Sequence, residues 1–391
     1  MKKTLLIPAL LDHHWSLLRW AFESKDWQAV VLEERTGIED LGLRNLNNDL
    51  CYPFVLITGQ VLSALRSGRY VPSNTAVLIS QAGDACRGSC LIRLLRPILD
   101  REGFSQVSLL SFNLRGIEQR LALPLSLTMG RRALAAAFWG DTLMLLSHQT
   151  RPYEANSGET NALVQTWTKA LTSVLQSSRD LSPPAILRRC RDMAADFRTI
   201  PRIHRPVQKV ALVGDLYTKY CRLGNWDLEE SLERSDCEVA VNGLTWHMLY
   251  YLRTHLDSGP FPARLVGRAI LKFGEVLQKQ MISILRNAGF TVLPPCGELK
   301  KLATQYSTTD CTVGSGWLLP AEIAAWVHAG YPKVLAALPF TCLPGHIYGR
   351  GQYASLQRRL PGSLIVGVDY DASIRKGTVQ TRVRMLLDEP L

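Results

Sequence analysis

Three of the nine cysteines share one kind of setting. Cys51 precedes Tyr52-Pro53 and an apolar helical run. Cys86 follows an apolar strand pattern, Ala76–Ile79, by a short loop. Cys342 follows Val334–Leu338 and Pro339-Phe340-Thr341, and precedes Leu343-Pro344. All three stand before expected helix starts, and at least two lie at strand-to-helix turns. In a parallel α/β sheet such turns gather at the carboxyl edge, where ligands bind. Backbone N–H groups and the helix dipole there stabilise a thiolate. Three thiolates from distant segments suit an iron–sulfur centre with one iron left open. Structural zinc favours tight C-x2–4-C pairs that close four ligands. The one local pair is Cys86 and Cys90, so Cys90 offers an additional thiol. Spacing alone leaves three readings open: an iron–sulfur cluster, zinc, or inert buried thiols.

The neighbours of these cysteines carry further chemistry. Arg87, beside Cys86, can balance anionic charge or hold an acidic substrate. His346 follows Cys342 closely enough to donate to a cluster sulfur or a substrate oxygen, and such bonds tune redox potential. His13 and His14 follow the first expected strand, where either could serve as proton donor. Arg151 and Glu154 read as a structural ion pair, and Asp369 and Asp371 as caps at a strand end. Cys190, Cys221, Cys237, Cys296 and Cys311 have no common setting and read as core or surface thiols.

Short apolar runs alternating with longer helical patterns must position these residues, which predicts an α/β fold of two Rossmann-like parallel-sheet lobes around a helical insertion. Strands are expected at Thr4–Ile7, Ala29–Leu32, Ala76–Ile79, Val107–Leu110, Lys209–Val213, Val239–Val241, Val334–Leu338 and Leu364–Val368. The boundaries follow as 1–115 for a first cluster-binding lobe, 116–206 for a helical region and basic linker, and 207–391 for a second lobe carrying Cys342. Residues 115–195 read as mostly helical, and the arginine-rich stretch Leu181–Pro206 as a connection, a solvated basic helix face plus a linker. It lacks the aromatic interleaving that nucleic-acid binding would use, so nucleic acid is not an expected partner.

With 391 residues, 47% hydrophobic and 20% charged, the chain has the composition of a folded protein of two or three domains, neither disordered nor collagenous. Its 45 Lys and Arg against 34 Asp and Glu give a formal charge of +11, which favours anionic partners without selecting one. No run approaches the roughly 18 apolar residues of a membrane span. Lys2-Lys3 and Leu5–Leu11 imitate a signal peptide, but Pro8 interrupts the run and no small-residue cleavage site follows. A reducing, cytoplasmic location is the expectation.

Several motifs, in order along nearly the whole chain, resemble the 2-hydroxyacyl-CoA dehydratase superfamily, in particular its acyl-CoA dehydratase activase-related branch. They are Asn47-Asn48-Asp49-Leu50-Cys51-Tyr52-Pro53 with Gly59-Gln60, and Ile79-Ser80-Gln81 with Cys86-Arg87 and Leu94-Leu95-Arg96. Arg151-Pro152-Tyr153-Glu154, Val213-Gly214-Asp215-Leu216-Tyr217, Pro339 to Ile347 and Val368-Asp369-Tyr370-Asp371 complete the pattern. The resemblance implies Cys51, Cys86 and Cys342 as ligands of a low-potential iron–sulfur cluster, either [4Fe-4S] or a double-cubane [8Fe-9S]. It also implies a homodimer or pseudo-symmetric heterodimer, fed with electrons by an ATP-dependent iron–sulfur reductase, an activator ATPase, on a separate chain. Two positions depart from the pattern: the loop Ala82-Gly83-Asp84-Ala85 carries an extra carboxylate, and Cys90 stands where relatives tend to have Asn. Gly314-Ser315-Gly316 and Gly349-Arg350-Gly351 lack the Lys-Ser/Thr of a phosphate loop, so ATP chemistry belongs to another polypeptide. The expected function is therefore a reductase or dehydratase-type component acting on a small or acyl-CoA substrate. The rivals are a non-catalytic iron–sulfur scaffold or maturation factor and a zinc-stabilised binding module.

Overall fold

The apolar runs form two parallel sheets in the computed structural model, which describes residues 2–80, 86–112, 126–255 and 261–390. The first lobe runs β1 (Lys3–Ile7), α1 (Asp12–Phe22), β2 (Trp27–Val31), α2 (Ile38–Leu43), α3 (Tyr52–Arg66), β3 (Thr75–Ser80), α4 (Leu91–Arg101) and β4 (Ser108–Phe112). Then come α5 (Leu127–His148), α6 (Glu159–Ser177) and α7 (Pro183–Thr199). The second lobe begins β5 (Gln208–Gly214), α8 (Leu216–Tyr220), α9 (Arg222–Asn225), α10 (Leu228–Glu233), β6 (Cys237–Val241) and α11 (Leu244–His255). It continues with α12 (Phe261–Asn287), α13 (Cys296–Tyr306), α14 (Leu318–His328), β7 (Lys333–Pro339), α15 (Tyr353–Arg359), β8 (Leu364–Tyr370) and α16 (Lys376–Asp388).

The sheets have equivalent orders, β2-β1-β3-β4 and β6-β5-β7-β8, and every pair is parallel. Sheets covered by helices on both faces need nearly continuous apolar strands, and all seven residues of β7 are buried. In each sheet the strand order switches sides between the two middle strands, β1 and β3 or β5 and β7. Ligands of open α/β sheets bind outside the carboxyl ends of the strands at such switch points.

The lobes are not independent. One buried apolar cluster runs from Leu5, Ile7 and Ala76 through Ala137 to Val210, Leu212 and Leu335. Helix α5 lies between the lobes and is buried from Ala135 to His148. Its Gly140 lets α1 approach: a Cβ there would lie 2.4 Å from Cδ2 of His14. The next residue, Asp141, is fully buried and accepts four hydrogen bonds. They come from Nε2 of His14 at 2.8 Å, the amides of Leu244 and Thr245 at 2.6 and 2.9 Å, and Oγ1 of Thr245 at 2.6 Å. One carboxylate thereby joins α1, α5 and the start of α11.

All eight expected strands are present, with bounds shifted by a residue or two. Most of the Leu181–Pro206 stretch is the expected helix, α7, but its Ile186, Cys190, Met193 and Phe197 are fully buried, so it is part of the core as well as a connection. Its arginines occupy the other face, where Arg188 and Arg189 pair with Asp180. Buried apolar residues on one face and arginines on the other make α7 an amphipathic helix. The 115/116 boundary and the 81–85 loop with Asp84 lie outside the described residues. Among the described residues no helix is long and apolar enough to cross a membrane.

Replacing Asp141 with Ala strands its buried donors. We expect a cost of about 3–5 kcal/mol in urea unfolding, as for other broken buried charged contacts. A cost below about 1 kcal/mol would contradict the role given to this carboxylate.

Candidate metal centre

The three cysteines stand at helix starts on the carboxyl edges of both sheets. Cys51 is the extended residue before α3, whose second position is Pro53, a residue suited to a helix start. Cys86 follows β3 and caps a short 3-10 turn, Arg87–Cys90; its Sγ accepts from the amide of Gly88 at 3.3 Å. Cys342 follows β7, and the Gly345 amide bonds to its thiol. A Cβ at position 345 would lie 3.3 Å from that Sγ, tighter than ordinary packing. Two of the three sulfurs thus already face a backbone donor, the arrangement that stabilises thiolates and tunes clusters.

Electrostatics shows that the thiols share one space. Burial pushes the Cys51 thiol well up, and the charges of Asp215, Cys342 and Cys86 push it further, against the pull of Arg87. Cys342 is raised in the same way, by burial first, then by Asp215 and Cys86, while the Gly345 amide and Arg87 oppose the shift. Each negative charge added here raises the cost of the next, so a cation favours ionisation of the thiols. Metal binding would supply it and release the protons.

Arg87 is the brace of this arrangement. It donates from Nη1 to the carbonyl of Asp49 at 2.9 Å, and from Nη2 to the carbonyl and Oγ1 of Thr341 at 2.8 and 2.7 Å. The residue after one cysteine therefore ties the segment before Cys51 to the residue before Cys342. Thr341 has φ +59°, a left-handed conformation that a β-branched residue adopts only under constraint. The strain sits between β7 and Cys342, where the chain must turn to aim the thiol.

Asp215 is the site residue that the motif reading passed over as part of a strand. It ends β5 at the switch point of the second sheet and caps α8, accepting from the amides of Tyr217 and Thr218 at 2.8 and 3.4 Å. Burial raises its pKa, against those bonds. The preceding Gly214 has φ +141°, and a Cβ there would meet the Ala337 carbonyl at 1.9 Å. The signal was present: Gly-Asp directly after an apolar strand marks a carboxyl-edge turn.

The other sequence candidates divide. His346 stays beside Cys342: its Nδ1 lies 2.9 Å from the Cys342 carbonyl, and its ring meets Phe340 edge-on. His14 is fully buried against Asp141, a structural post that no substrate reaches. Cys90 is exposed, whereas Cys51 and Cys86 are half-buried and Cys342 buried. Arg151 pairs with Glu233 rather than Glu154. Glu154 instead accepts the amides of Gly158 and Thr160 at the start of α6. Asp369 pairs with Arg350, and Asp371 caps Ser373 and Ile374. Cys311 lies closer to the site than its sequence setting implied, since its thiol bonds with Tyr348 on the turn after Cys342.

The donor set can be tested against the two metals. Tetrahedral zinc with Zn–S near 2.3 Å holds its sulfurs about 3.8 Å apart. Among the described residues the three cysteine sulfurs do not all lie within 4.8 Å of one another. Soft thiols with amide donors at two of them are a donor set that either an iron–sulfur cluster or zinc takes. The chain matches no protein-family model and no curated protein.

In the metal-free protein, exposed Cys90 should react first with iodoacetamide at neutral pH. Cys51 and Cys342 should lag, then gain as pH rises toward their raised pKa values, because the thiolate is the nucleophile. Peptide mapping reads the order, and labelling of Cys342 as fast as Cys90 would contradict the electrostatics.

Proposed function

We propose that this chain is the iron–sulfur component of a reductase or dehydratase-type system. In this reading it takes low-potential electrons from a separate ATP-dependent reductase and passes them to a small or acyl-CoA substrate. The observation that carries it is the convergence of Cys51, Cys86 and Cys342 from two sheets within electrostatic reach of one another, with Arg87 tying their segments together. Bound there, a cluster would supply single electrons at low potential.

The chain's own residues prepare that chemistry. The Gly88 and Gly345 amides hold negative charge on two sulfurs. Arg87 adds a cation and closes the gap between lobes. With its Nδ1–H given to the Cys342 carbonyl, His346 keeps Nε2 as the atom able to take up a proton from a bound molecule; this tautomer is assigned from that bond. Asp215 keeps a carboxylate beside the thiols, favouring occupation by a positively charged metal group. Phe340, Leu343 and Ile347 stand exposed next to Cys342, an apolar rim suited to cover by a second subunit or the reductase. The absence of a Lys-Ser/Thr phosphate loop leaves ATP hydrolysis to that partner.

Single Ser replacements at Cys51, Cys86 and Cys342 test the reading. Each should lose most of its iron and acid-labile sulfide after anaerobic purification, because a hard oxygen replaces a soft thiolate. Cys237→Ala, at the opposite edge of the second sheet, should keep both. Retention of full iron by all three Ser variants would overturn the proposal.

A further inference from the structure

A second cluster of ligand atoms lies where the two lobes meet, and the cysteine site does not use it. His13 lies on α1 of the first lobe, His148 ends α5, and Glu229 is on α10 of the second lobe. Nε2 of His13 is 2.6 Å from Oε2 of Glu229, and Nε2 of His148 is 3.4 Å from the same oxygen. The imidazoles meet edge-on with centroids 5.1 Å apart. One ligand atom from each of the three residues falls within 4.8 Å of the others.

Burial makes this more than a chance meeting of polar groups. Glu229 is 6% exposed and His148 2%; Nδ1 of His148 has no hydrogen-bond partner and its Nε2 has only the long, poorly aligned approach to Glu229. A buried imidazole left in that state is costly. Nε2 of His148 reaches the carboxylate oxygen only at the long distance of 3.4 Å, so both imidazoles point a ring nitrogen at one oxygen of Glu229, as the ligands of a single ion do. His13 is half-buried and lines a cleft of about 410 Å³ together with Asp12, Ser16 and Arg222, so the position is reachable from outside.

We propose that His13, His148 and Glu229 form a binding site for a divalent transition-metal ion of the zinc class. Two imidazoles and one carboxylate are a donor set that such ions take, and three protein ligands leave a fourth coordination position for water. Because the ligands come from three different parts of the chain, the ion would brace the lobe junction that sets the spacing of the cysteines.

The full-length chain, stripped by chelator, is titrated with Co2+ as wild type and as Cys51→Ser, which leaves these ligands untouched. We expect one Co2+ per chain in both proteins with weak visible bands and no near-ultraviolet thiolate charge-transfer, displaced by Zn2+ with a rise in the unfolding midpoint. Glu229→Gln and His148→Ala should each weaken this binding by about 100-fold or more, beyond the loss from changing an outer partner. His13→Ala, at a half-exposed position, serves equally if His148→Ala does not fold. Undiminished binding in the ligand variants, a thiolate band on the bound Co2+, or no binding would overturn the proposal.

Discussion

The candidate centre depends on one buried carboxylate. Asp141 accepts from His14 of the first lobe and from Leu244 and Thr245 of the second, while its own helix runs between them. Cys51 and Cys86 belong to one sheet and Cys342 to the other. Their separation is therefore a property of the lobe junction, not of either sheet. A loosely hinged junction would let the thiols drift by ångströms, enough to spoil a shared metal site. Gly140 and Gly243, which leave room for His14 and for Asp141, are the steric conditions for that contact.

Stability and chemistry pull against each other at the sheet edges. The left-handed Thr341 and buried Asp215 each cost free energy. The apolar cluster shared by both sheets offsets that cost. Such a balance is usual where a fold holds a reactive centre. Exposed Phe340, Leu343 and Ile347 extend the same pattern to the surface, where apolar area remains for another protein to cover.

Much of this was legible in the sequence, for definite reasons. Helix-covered parallel strands must be apolar throughout, so β1, β3, β5 and β7 announced themselves, and the cysteines at their ends could be grouped by setting. What stayed hidden depended on long-range geometry. Arg87 reads as a lone cation beside a cysteine until Thr341, 254 residues away, is folded against it. His13 and Glu229 are separated by 216 residues, and no local spacing joins them. His14 looked like a carboxyl-edge proton donor because its sequence position is right, but Gly140 draws its ring into the core.

The central claim is that the three thiols are ligands of one multinuclear iron site. Anomalous X-ray scattering from anaerobically grown crystals, collected on both sides of the iron absorption edge, tests it most directly. The account predicts several iron peaks in the space between Cys51, Cys86 and Cys342, within bonding distance of all three sulfurs. A single zinc peak there, or iron bound to a different set of cysteines, would contradict it.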